Sequence, residues 1–345
     1  MVSPGVKEEL TTDSVLAAIP AFSPAVLKVM DLLAQADTEM AVLSRTIAVD
    51  ATLSAEILKL ANSALFGATA RIDTVQKAVV TLGHSWIQHV TLRAGAVSYV
   101  RSAAQTEELK RSWRHTLATA ALCRILARAS GLSPERAYTL GLMHDIGRLG
   151  LLAAFPPEYT AAIQAAECGG MSLADAEKAL FGVDHGELGR RLLESWNLPE
   201  EFARIASGHH KTPSDVGFDL LNVVQLSCRL ADGLGYWLVQ PAAGWSLEST
   251  RQLIPEPVRG RFPYDEQPLI DAIEEALADN GSLHLSEPHE RPRPDPPPGK
   301  CEMEPAPVDA PEFELSESGS GPWKIILILA VAVAVIGTVA LKLFR

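Results

Sequence analysis

The sequence has few cysteines and no cysteine motif. The four cysteines of the 345-residue chain lie far apart and form no CxxC pair; they are Cys123, Cys168, Cys228 and Cys301. The N-terminus also lacks a secretory signal peptide, because residues 1–10 are polar and include Lys7. We therefore expect a cytosolic protein with free thiols rather than a disulfide framework.

A basic stripe of the kind that contacts nucleic acid is absent as well. The chain has 30 Lys and Arg residues against 42 Asp and Glu residues, which gives a formal net charge of −12. A field of this sign repels phosphate backbones and anionic lipid headgroups, whereas sequence-independent DNA binding needs clustered cationic side chains. We expect no nucleic-acid partner.

No stretch before residue 280 shows the sustained alternation of a β-strand, and no fixed-period repeat indicates a solenoid. Apolar residues recur at helical spacing instead, with the start signal Ser133-Pro134 and the stop signals Gly83 and Gly131. The helix that begins at Ser133 is expected to run towards Phe155. These patterns predict an all-α fold.

The chain after residue 282 consists of two segments of contrasting composition. Residues 283–321 are rich in proline and acidic side chains, which predicts a disordered linker because too little apolar surface is available for folding. Residues 325–341 carry no charge. Because an α-helix rises about 1.5 Å per residue, these 17 residues would form a helix roughly 26 Å long, close to the thickness of the hydrocarbon core of a bilayer. With Trp323 and Arg345 as flanking anchors, residues 322–345 are predicted to form a single transmembrane helix.

This helix would anchor the chain in a membrane. Because nothing upstream directs export, the N-terminal domain is expected to stay in the cytoplasm. The small residues Ala330, Ala334 and Gly337 would let two such helices approach closely, so a homodimer is one expected state.

Histidine and aspartate side chains occur on successive predicted helices. Nine histidines are present, and His144-Asp145 and His209-His210 are adjacent pairs. Imidazole nitrogen and carboxylate oxygen are ligands of borderline and hard divalent metals. Neighbouring helical residues point about 100° apart, so an adjacent His-Asp pair can serve two metals. The candidate metal ligands are His115, His144, Asp145, His185, His209, His210 and Asp232.

Each of these residues has a simpler interpretation when it is taken alone. A single helical histidine is more often a hydrogen-bonded core or surface residue, as we expect for His84 and His89. The pair His209-His210 would also suit a polar helix end. The order of the whole set along successive helices favours a shared site.

Short motifs occur at residues 19–20, 50–53, 60–64 and 78–83 in the first part of this region, and at residues 113–115, 141–147, 182–185 and 196–200 in the second. These motifs are similar to those of HDOD proteins, a branch of the HD-domain superfamily found mainly in bacterial signalling. The resemblance covers residues 19–235 and implies two helical lobes in one domain, at 15–102 and 106–235. Beyond it, residues 236–282 are expected to form a partly helical extension.

The resemblance also implies a ligand set. His115, His144, Asp145 and Asp232 match the four-residue core of HD phosphohydrolases. The further ligands of the two-metal subgroup, which includes the HD-GYP phosphodiesterases, are matched by His185, His209 and His210. By that analogy Asp145 would bridge the metals, and one or two divalent ions such as Fe, Mn or Mg would be bound.

Two departures from the HD-GYP pattern affect the implied activity. The Gly-Tyr-Pro signature is missing after His210, so cyclic-di-GMP hydrolysis is not implied. Arg148 stands where those enzymes often have a lysine, and its guanidinium would still hold a phosphate in a bidentate manner.

The sequence leaves two functions of different classes open. The leading hypothesis is a signalling or regulatory module, tethered to the bacterial inner membrane, that acts through interactions with other proteins. The alternative is a metal-dependent phosphohydrolase acting on a phosphorylated small molecule, a nucleotide or a phosphodiester, with Asp145 and Arg148 as catalytic residues. A third reading is an ion that only supports folding.

Overall fold

The computed structural model describes residues 11–35, 37–66, 71–169, 171–213, 217–240 and 246–279. Regular structure within these ranges is entirely helical, which confirms the predicted all-α class. The helices are α1 (Thr12–Ala18), α2 (Pro24–Ala34), α3 (Met40–Ala48), α4 (Ala51–Ala61), α5 (Val75–Ser102), α6 (Glu107–Ser130), α7 (Pro134–Met143), α8 (Ile146–Ala154), α9 (Pro156–Gly169), α10 (Leu173–Phe181), α11 (His185–Ser195), α12 (Glu200–Gly208), α13 (Leu220–Gly233), α14 (Leu247–Gln252), α15 (Glu256–Arg259) and α16 (Gln267–Asp279). A short 3-10 turn spans Ala64–Phe66.

The junction between α6 and α7 follows the signals in the sequence. Gly131 ends α6 with a φ of 75°, a left-handed conformation that favours glycine. The Ser133 hydroxyl then accepts a hydrogen bond from the Arg136 backbone N–H, and Pro134 occupies the first helical turn. The stop signal and the start signal predicted here are both confirmed.

The predicted stop at Gly83 is also confirmed, because its non-helical φ of 72° and ψ of 174° separate two helical segments of α5 at a kink. One predicted helix is interrupted. The helix that begins after Ser133 does not continue without interruption towards Phe155. It breaks at residues 144 and 145, because Asp145 has a non-helical backbone with a φ of −104° and a ψ of 18°. This break lies at the His-Asp pair itself.

Helix α6 occupies the centre of the core. It packs against α7, α13 and α16, and its residues Trp113, Leu117 and Leu122 are fully buried. Leu269 and Ile273 of α16 join the same apolar cluster. The extension predicted at 236–282 therefore contains three helices, α14 to α16, of which α14 packs on α13 and α16 on α6.

Helices α2 to α5 pack against one another, and α5 also contacts α7. The loop between α5 and α6 coincides with the predicted boundary between the lobes at residues 102 and 106. Buried residues before and after this loop belong to one continuous apolar cluster. The division into two lobes stays a prediction.

The described part of the chain ends with α16 at Asp279. Over the ranges that the structure describes, none of the helices combines the length and the apolar character that crossing a membrane requires. The predicted linker at 283–321 and the predicted transmembrane helix at 322–345 lie outside the described residues.

Candidate metal centre

The candidate ligands come from the interior of one helix and the ends of several others. His115 lies in the middle of α6, and His144 and Asp145 form the break between α7 and α8. His185 is the first residue of α11, and His209 directly follows α12. These elements deliver their polar side chains to one buried place in the core.

A close approach of α8 and α11 brings His185 towards Asp145. A Cβ atom on Gly147 would lie 2.1 Å from the carbonyl oxygen of His185 and 2.5 Å from the backbone nitrogen of Gly189. Only glycine fits there, so the two helices meet backbone to backbone. As a result His185 Nε2 lies 3.6 Å from Asp145 Oδ1.

Six of the seven predicted ligands, together with Cys228, fall into two groups, each with its ligand atoms within 4.8 Å of one another. The first group, which we call the histidine cluster, consists of Asp145, His185, His209 and His210. The second group, the cysteine cluster, consists of His115, His144 and Cys228. All of these residues are buried except His210, which is exposed although its Nε2 lies 2.9 Å from His185 Nε2.

Asp145 joins the two clusters through its two oxygen atoms. Its Oδ1 lies 3.3 Å from His209 Nε2, in the histidine cluster. Its Oδ2 lies 3.6 Å from His144 Nε2 and 3.9 Å from His115 Nε2, in the cysteine cluster. One carboxylate oxygen thus faces each group, as the resemblance implied for a bridging ligand.

The four buried histidines are held in similar orientations, each with Nδ1 at an oxygen atom. His115 Nδ1 lies 2.6 Å from the Tyr236 carbonyl, His144 Nδ1 2.6 Å from the Gly141 carbonyl, His185 Nδ1 2.6 Å from Glu177 Oε2, and His209 Nδ1 2.7 Å from the Ala206 carbonyl. Carbonyl and carboxylate oxygens only accept, so each Nδ1 carries a proton and donates. In the neutral ring Nε2 then presents its lone pair to the centre, as in metal-ligating histidines.

Three buried acceptor atoms at the centre have no hydrogen-bond partner: His144 Nε2, Asp145 Oδ1 and His209 Nε2. Buried polar groups in proteins are normally paired. Lone pairs that face one another without a donor between them suit a cation, so the residues present fit a divalent metal ion.

The protonation states agree with this chemistry. Burial lowers the pKa of His144 well below its ordinary value and also lowers the pKa of His209, which keeps both rings neutral. Burial opposes ionisation of Asp145, but the adjacent Arg148 guanidinium holds the pKa of this carboxyl well below its usual range. These two neutral imidazoles therefore lie beside a carboxylate.

Arg148 lies inside the histidine cluster. Its Nη1 donates to Asp145 Oδ2 at 2.5 Å, and its Nη2 donates to His185 Nε2 at 3.1 Å. The same Nη2 is 3.4 Å from His210 Nε2. The side chain was predicted as a phosphate clamp, and it is only 5% exposed.

His185 is supported from behind by a buried carboxylate. Glu177, from α10, accepts hydrogen bonds from the backbone N–H of His185 at 2.8 Å and from its Nδ1 at 2.6 Å. The Tyr159 hydroxyl of α9 donates to the other oxygen of Glu177. Such outer partners fix the ring and its tautomer.

Asp232 lies beside His115 rather than among the gathered ligand atoms. Its Oδ1 is 3.3 Å from His115 Nδ1, and its side chain is 23% exposed. Cys228, one turn earlier on α13, places Sγ 3.4 Å from His115 Nε2. Burial opposes a charge on His115, but Cys228 and Asp232 raise the pKa of this imidazole well above its ordinary value. The predicted role of Asp232 as a ligand stays untested.

Three side chains of the centre were missed at the level of sequence: Cys228, Glu177 and Tyr159. A signal existed for Cys228, because it precedes Asp232 by four residues and therefore lies on the same side of α13. Glu177 and Tyr159 offered no comparable spacing signal, since they reach His185 only through the packing of α9 and α10.

The cysteines differ in state. Cys123 and Cys228 are free and buried, which confirms the expected free thiols at these two positions. Cys168 is disulfide-bonded, so the expectation is wrong for that residue.

The two histidines expected to be structural lie outside both clusters. His84 Nε2 is 2.6 Å from the Leu33 carbonyl oxygen. His89 Nδ1 is 2.8 Å from the Thr139 hydroxyl. Their hydrogen bonds agree with the simpler interpretation.

The helical core and its histidine–aspartate centre define a class of protein, and comparison with known protein families identifies that class. The family model of the HDOD domain matches residues 19–212, and the chain belongs to this family. The match ends before α13, so it does not include Cys228 or Asp232.

Solved structures show the same fold. An HDOD domain protein of unknown function from Geobacter sulfurreducens superposes with a TM-score of 0.58 at 22% identity, over 79% of this chain and 97% of the other. A candidate phosphohydrolase from Shewanella amazonensis SB2B gives a TM-score of 0.56 at 23% identity, over 80% and 97%. A candidate signal transduction protein from Marinobacter aquaeolei VT8 gives 0.55 at 19% identity, over 81% and 62%.

Among curated proteins, an uncharacterized protein of Treponema pallidum (strain Nichols) is 27% identical over 197 residues. The aligned region makes up 56% of this chain and 38% of the Treponema protein. The chain thus corresponds to well under half the length of this relative.

Proposed function

We propose that this protein is a regulatory HDOD module whose buried centre holds one divalent ion and whose helical surface acts on partner proteins. The observation that carries the proposal is the position of Arg148. Its guanidinium engages Asp145 and His185 and lies against His210 inside the histidine cluster. A permanent cation in that position takes the place of a second metal ion.

The donor atoms left in each cluster support a single ion. In the histidine cluster, only Asp145 Oδ1 and His209 Nε2 remain without a partner. Catalytic metal sites commonly use three protein ligands and keep an open position. In the cysteine cluster His144 Nε2 has no partner, His115 Nε2 and Cys228 Sγ lie 3.4 Å from each other, and Asp145 Oδ2 is 3.6 Å from His144 Nε2.

Burial also favours regulation over turnover. His144, Asp145 and His209 are each at most 1% exposed. A two-metal hydrolase needs room for a phosphate and a water molecule between its ions. Arg148 is buried against Asp145 and His185 here, so the ion is expected to brace the helices that meet at the centre.

A panel of nucleotides and phosphodiesters tests this proposal against the hydrolase alternative. The full chain is saturated in turn with Zn²⁺, Fe²⁺ and Mn²⁺, and product release is compared with that of an Asp145→Asn variant. We expect no release by the wild-type chain above the variant. Product release by the wild-type chain above that of the variant would favour the hydrolase.

A second experiment tests the regulatory role in source cells. Deletion of the chain should change a signalling output, and re-expression of the chain should restore that output. An unchanged output after deletion would end the regulatory proposal.

The hydrolase alternative is supported by the two-sided contacts of Asp145. A bound divalent ion would supply Lewis-acid charge to a phosphate. The residues that would hold it are the members of the two clusters, and Arg148 would bind phosphate oxygens after leaving Asp145. The solved structure of the candidate phosphohydrolase from Shewanella amazonensis shares the fold, at an identity too low to transfer its activity.

We also propose that residues 322–345 tether the module to a membrane with its helical domain in the cytoplasm. The uncharged run at 325–341 and its flanking aromatic and basic residues support this. Fractionation of cells that express the full chain or a chain ending at residue 282 tests it. We expect the full chain to resist carbonate extraction from membranes and the shorter chain to be released. Equal release of both chains would contradict the tether.

A further inference from the structure

Cys228 is a buried thiol that neither the family match nor the ligand set implied by the HD resemblance includes. We propose that Cys228 is a metal ligand, and that His115, His144, Asp145 and Cys228 together bind one thiophilic divalent ion such as Zn²⁺ or Fe²⁺. This inference goes beyond the proposed function, because it holds whether the ion braces the helices or takes part in turnover.

The spacing of the atoms matches that of ligands around one ion. Cys228 Sγ lies 3.4 Å from His115 Nε2, and the ligand atoms of His115, His144 and Cys228 all lie within 4.8 Å of one another. Zinc bonds of about 2.3 Å to sulfur and about 2.0 Å to nitrogen, at tetrahedral angles, place the two ligand atoms about 3.5 Å apart. Asp145 Oδ2 completes the set at 3.6 Å from His144 Nε2 and 3.9 Å from His115 Nε2.

A second observation points to a ligand at this place. The side chain of His144 is completely buried, and its Nε2 has no hydrogen-bond partner. Its Nδ1 proton is committed to the Gly141 carbonyl, so Nε2 presents a lone pair. This unpaired acceptor faces the same space as Cys228 Sγ and His115 Nε2.

The fold holds Cys228 in this position. Its helix α13 packs against α6, which carries His115, and against α7, which ends next to His144. Cys228 is 2% exposed. Asp232 lies a turn later on α13, with a side chain that is 23% exposed and directed at His115 Nδ1. The thiol therefore fills the place that the HD resemblance implied for Asp232.

A thiolate changes the metal that the centre selects. Two imidazole nitrogens, one sulfur and one carboxylate oxygen form a set that suits Zn²⁺ or Fe²⁺, whereas Mg²⁺ and Mn²⁺ prefer oxygen ligands. The ion takes the place of the Cys228 thiol proton and of any proton on His115 Nε2, and these protons pass to solvent on binding. We therefore expect the site to bind Zn²⁺ far more tightly than Mg²⁺.

The absorption spectrum of the cobalt-loaded chain detects the Cys228 thiolate directly. A thiolate bound to Co²⁺ produces a near-ultraviolet charge-transfer band, whereas oxygen and nitrogen ligands do not. The full chain, purified without chelator, is loaded with Co²⁺, and bound cobalt is counted by elemental analysis. The matched variants are Cys228→Ser and Cys123→Ser, since Cys123 is the other buried free thiol in the described part of the chain and belongs to neither cluster.

We expect the band in the wild-type chain and in Cys123→Ser, and its loss in Cys228→Ser. Absence of bound cobalt, absence of the band in the wild-type chain, or its persistence in Cys228→Ser would overturn the proposal. If circular dichroism shows that Cys228→Ser does not fold, X-ray absorption of the zinc-loaded Cys123→Ser variant identifies the elements bound to the zinc ion instead. Sulfur in the coordination shell supports Cys228 as the ligand, and a shell of nitrogen and oxygen alone refutes it.

Discussion

Arg148 and Asp145 form a buried ion pair at the first turn of α8, with Nη1 of the arginine 2.5 Å from Oδ2 of the aspartate. The two side chains are 6% and 0% exposed. The pair places a permanent positive charge beside the carboxylate that faces both clusters. Much of the behaviour expected of the centre follows from this contact.

Removal of the Arg148 charge should destabilise the metal-free protein. In Arg148→Met the Asp145 carboxylate stays buried without its partner, which typically costs about 3–5 kcal/mol. We expect this loss in the free energy of unfolding, measured with urea in the presence of chelator. Excess Zn²⁺ should recover part of it, because a second ion can then replace the lost cation.

The control for this variant is Arg191→Met. Arg191 pairs with Glu187 on the surface of α11, where both side chains are more than a third exposed. Such a pair contributes less than about 1 kcal/mol. Equal losses in the two variants would mean that the buried pair has no special role.

Glu177 should matter for stability more than for metal binding. Glu177→Ala leaves the backbone N–H and the ring N–H of His185 without an acceptor, which costs about 1–3 kcal/mol for each unpaired group. Tyr159→Phe keeps Glu177 in place and should cost less. Because we assign the ion to the cysteine cluster, a competition titration with a metal indicator should show little change in affinity. The 10–100-fold loss typical of an outer-shell partner would instead show that His185 is a ligand.

The contact between α8 and α11 should not tolerate a methyl group. Gly147→Ala places a Cβ 2.1 Å from the His185 carbonyl oxygen, so the two backbones must separate. We expect a loss of about 1–3 kcal/mol or more in thermal or urea unfolding. Gly260→Ala is the matched control, because its nearest neighbour would be 3.8 Å away and its φ is −64°. Similar stability of both variants would contradict the close approach.

The burial of His89 should make the free energy of unfolding depend on pH, independently of the metal centre. Burial lowers the pKa of His89 from 6.5 to about 4, with a smaller contribution from the charge of Arg136. The unfolded chain therefore binds the proton more readily, so stability is fully present above pH 6.5 and is lost as the pH falls towards 4. The loss should be about 1–3 kcal/mol after solvent screening.

The measurement is urea unfolding of the wild-type chain and of His89→Gln at several pH values in this window. The difference between the two chains isolates the contribution of His89 from that of the acidic groups. The stability of the wild-type chain relative to His89→Gln should decrease as the pH falls from 6.5 towards 4. A constant difference across the window would show that His89 titrates normally.

The sequence predicted the helical class and most of the side chains that lie together in the two clusters, because both depend on local signals. Caps such as Ser133 and Gly131 act within one turn, and the His144-Asp145 pair is a short motif. Gly83 acts in the same way, because its positive φ breaks the helical geometry between the two segments of α5. The break at Asp145 shows the limit of such signals, because the sequence predicted a continuous helix there.

The remaining features of the centre depend on distances between helices. Glu177 reaches His185 because α10 leads into α11, and Arg148 reaches His185 because Gly147 lets α8 and α11 touch. No local pattern encodes these contacts. The positions of Cys228 Sγ at His115 Nε2 and of Asp232 at His115 Nδ1 depend on the rotation of α13 against α6, which residue spacing alone does not determine.

The number of divalent ions bound per chain tests the role of Arg148 most directly. The full chain is saturated with Zn²⁺, dialysed to remove loosely bound metal and analysed for zinc and protein. One ion per chain is expected, because Arg148 stands in place of a second cation. Two ions in the wild-type chain would show that the arginine leaves the histidine cluster, and would contradict the assignment of a single-ion centre.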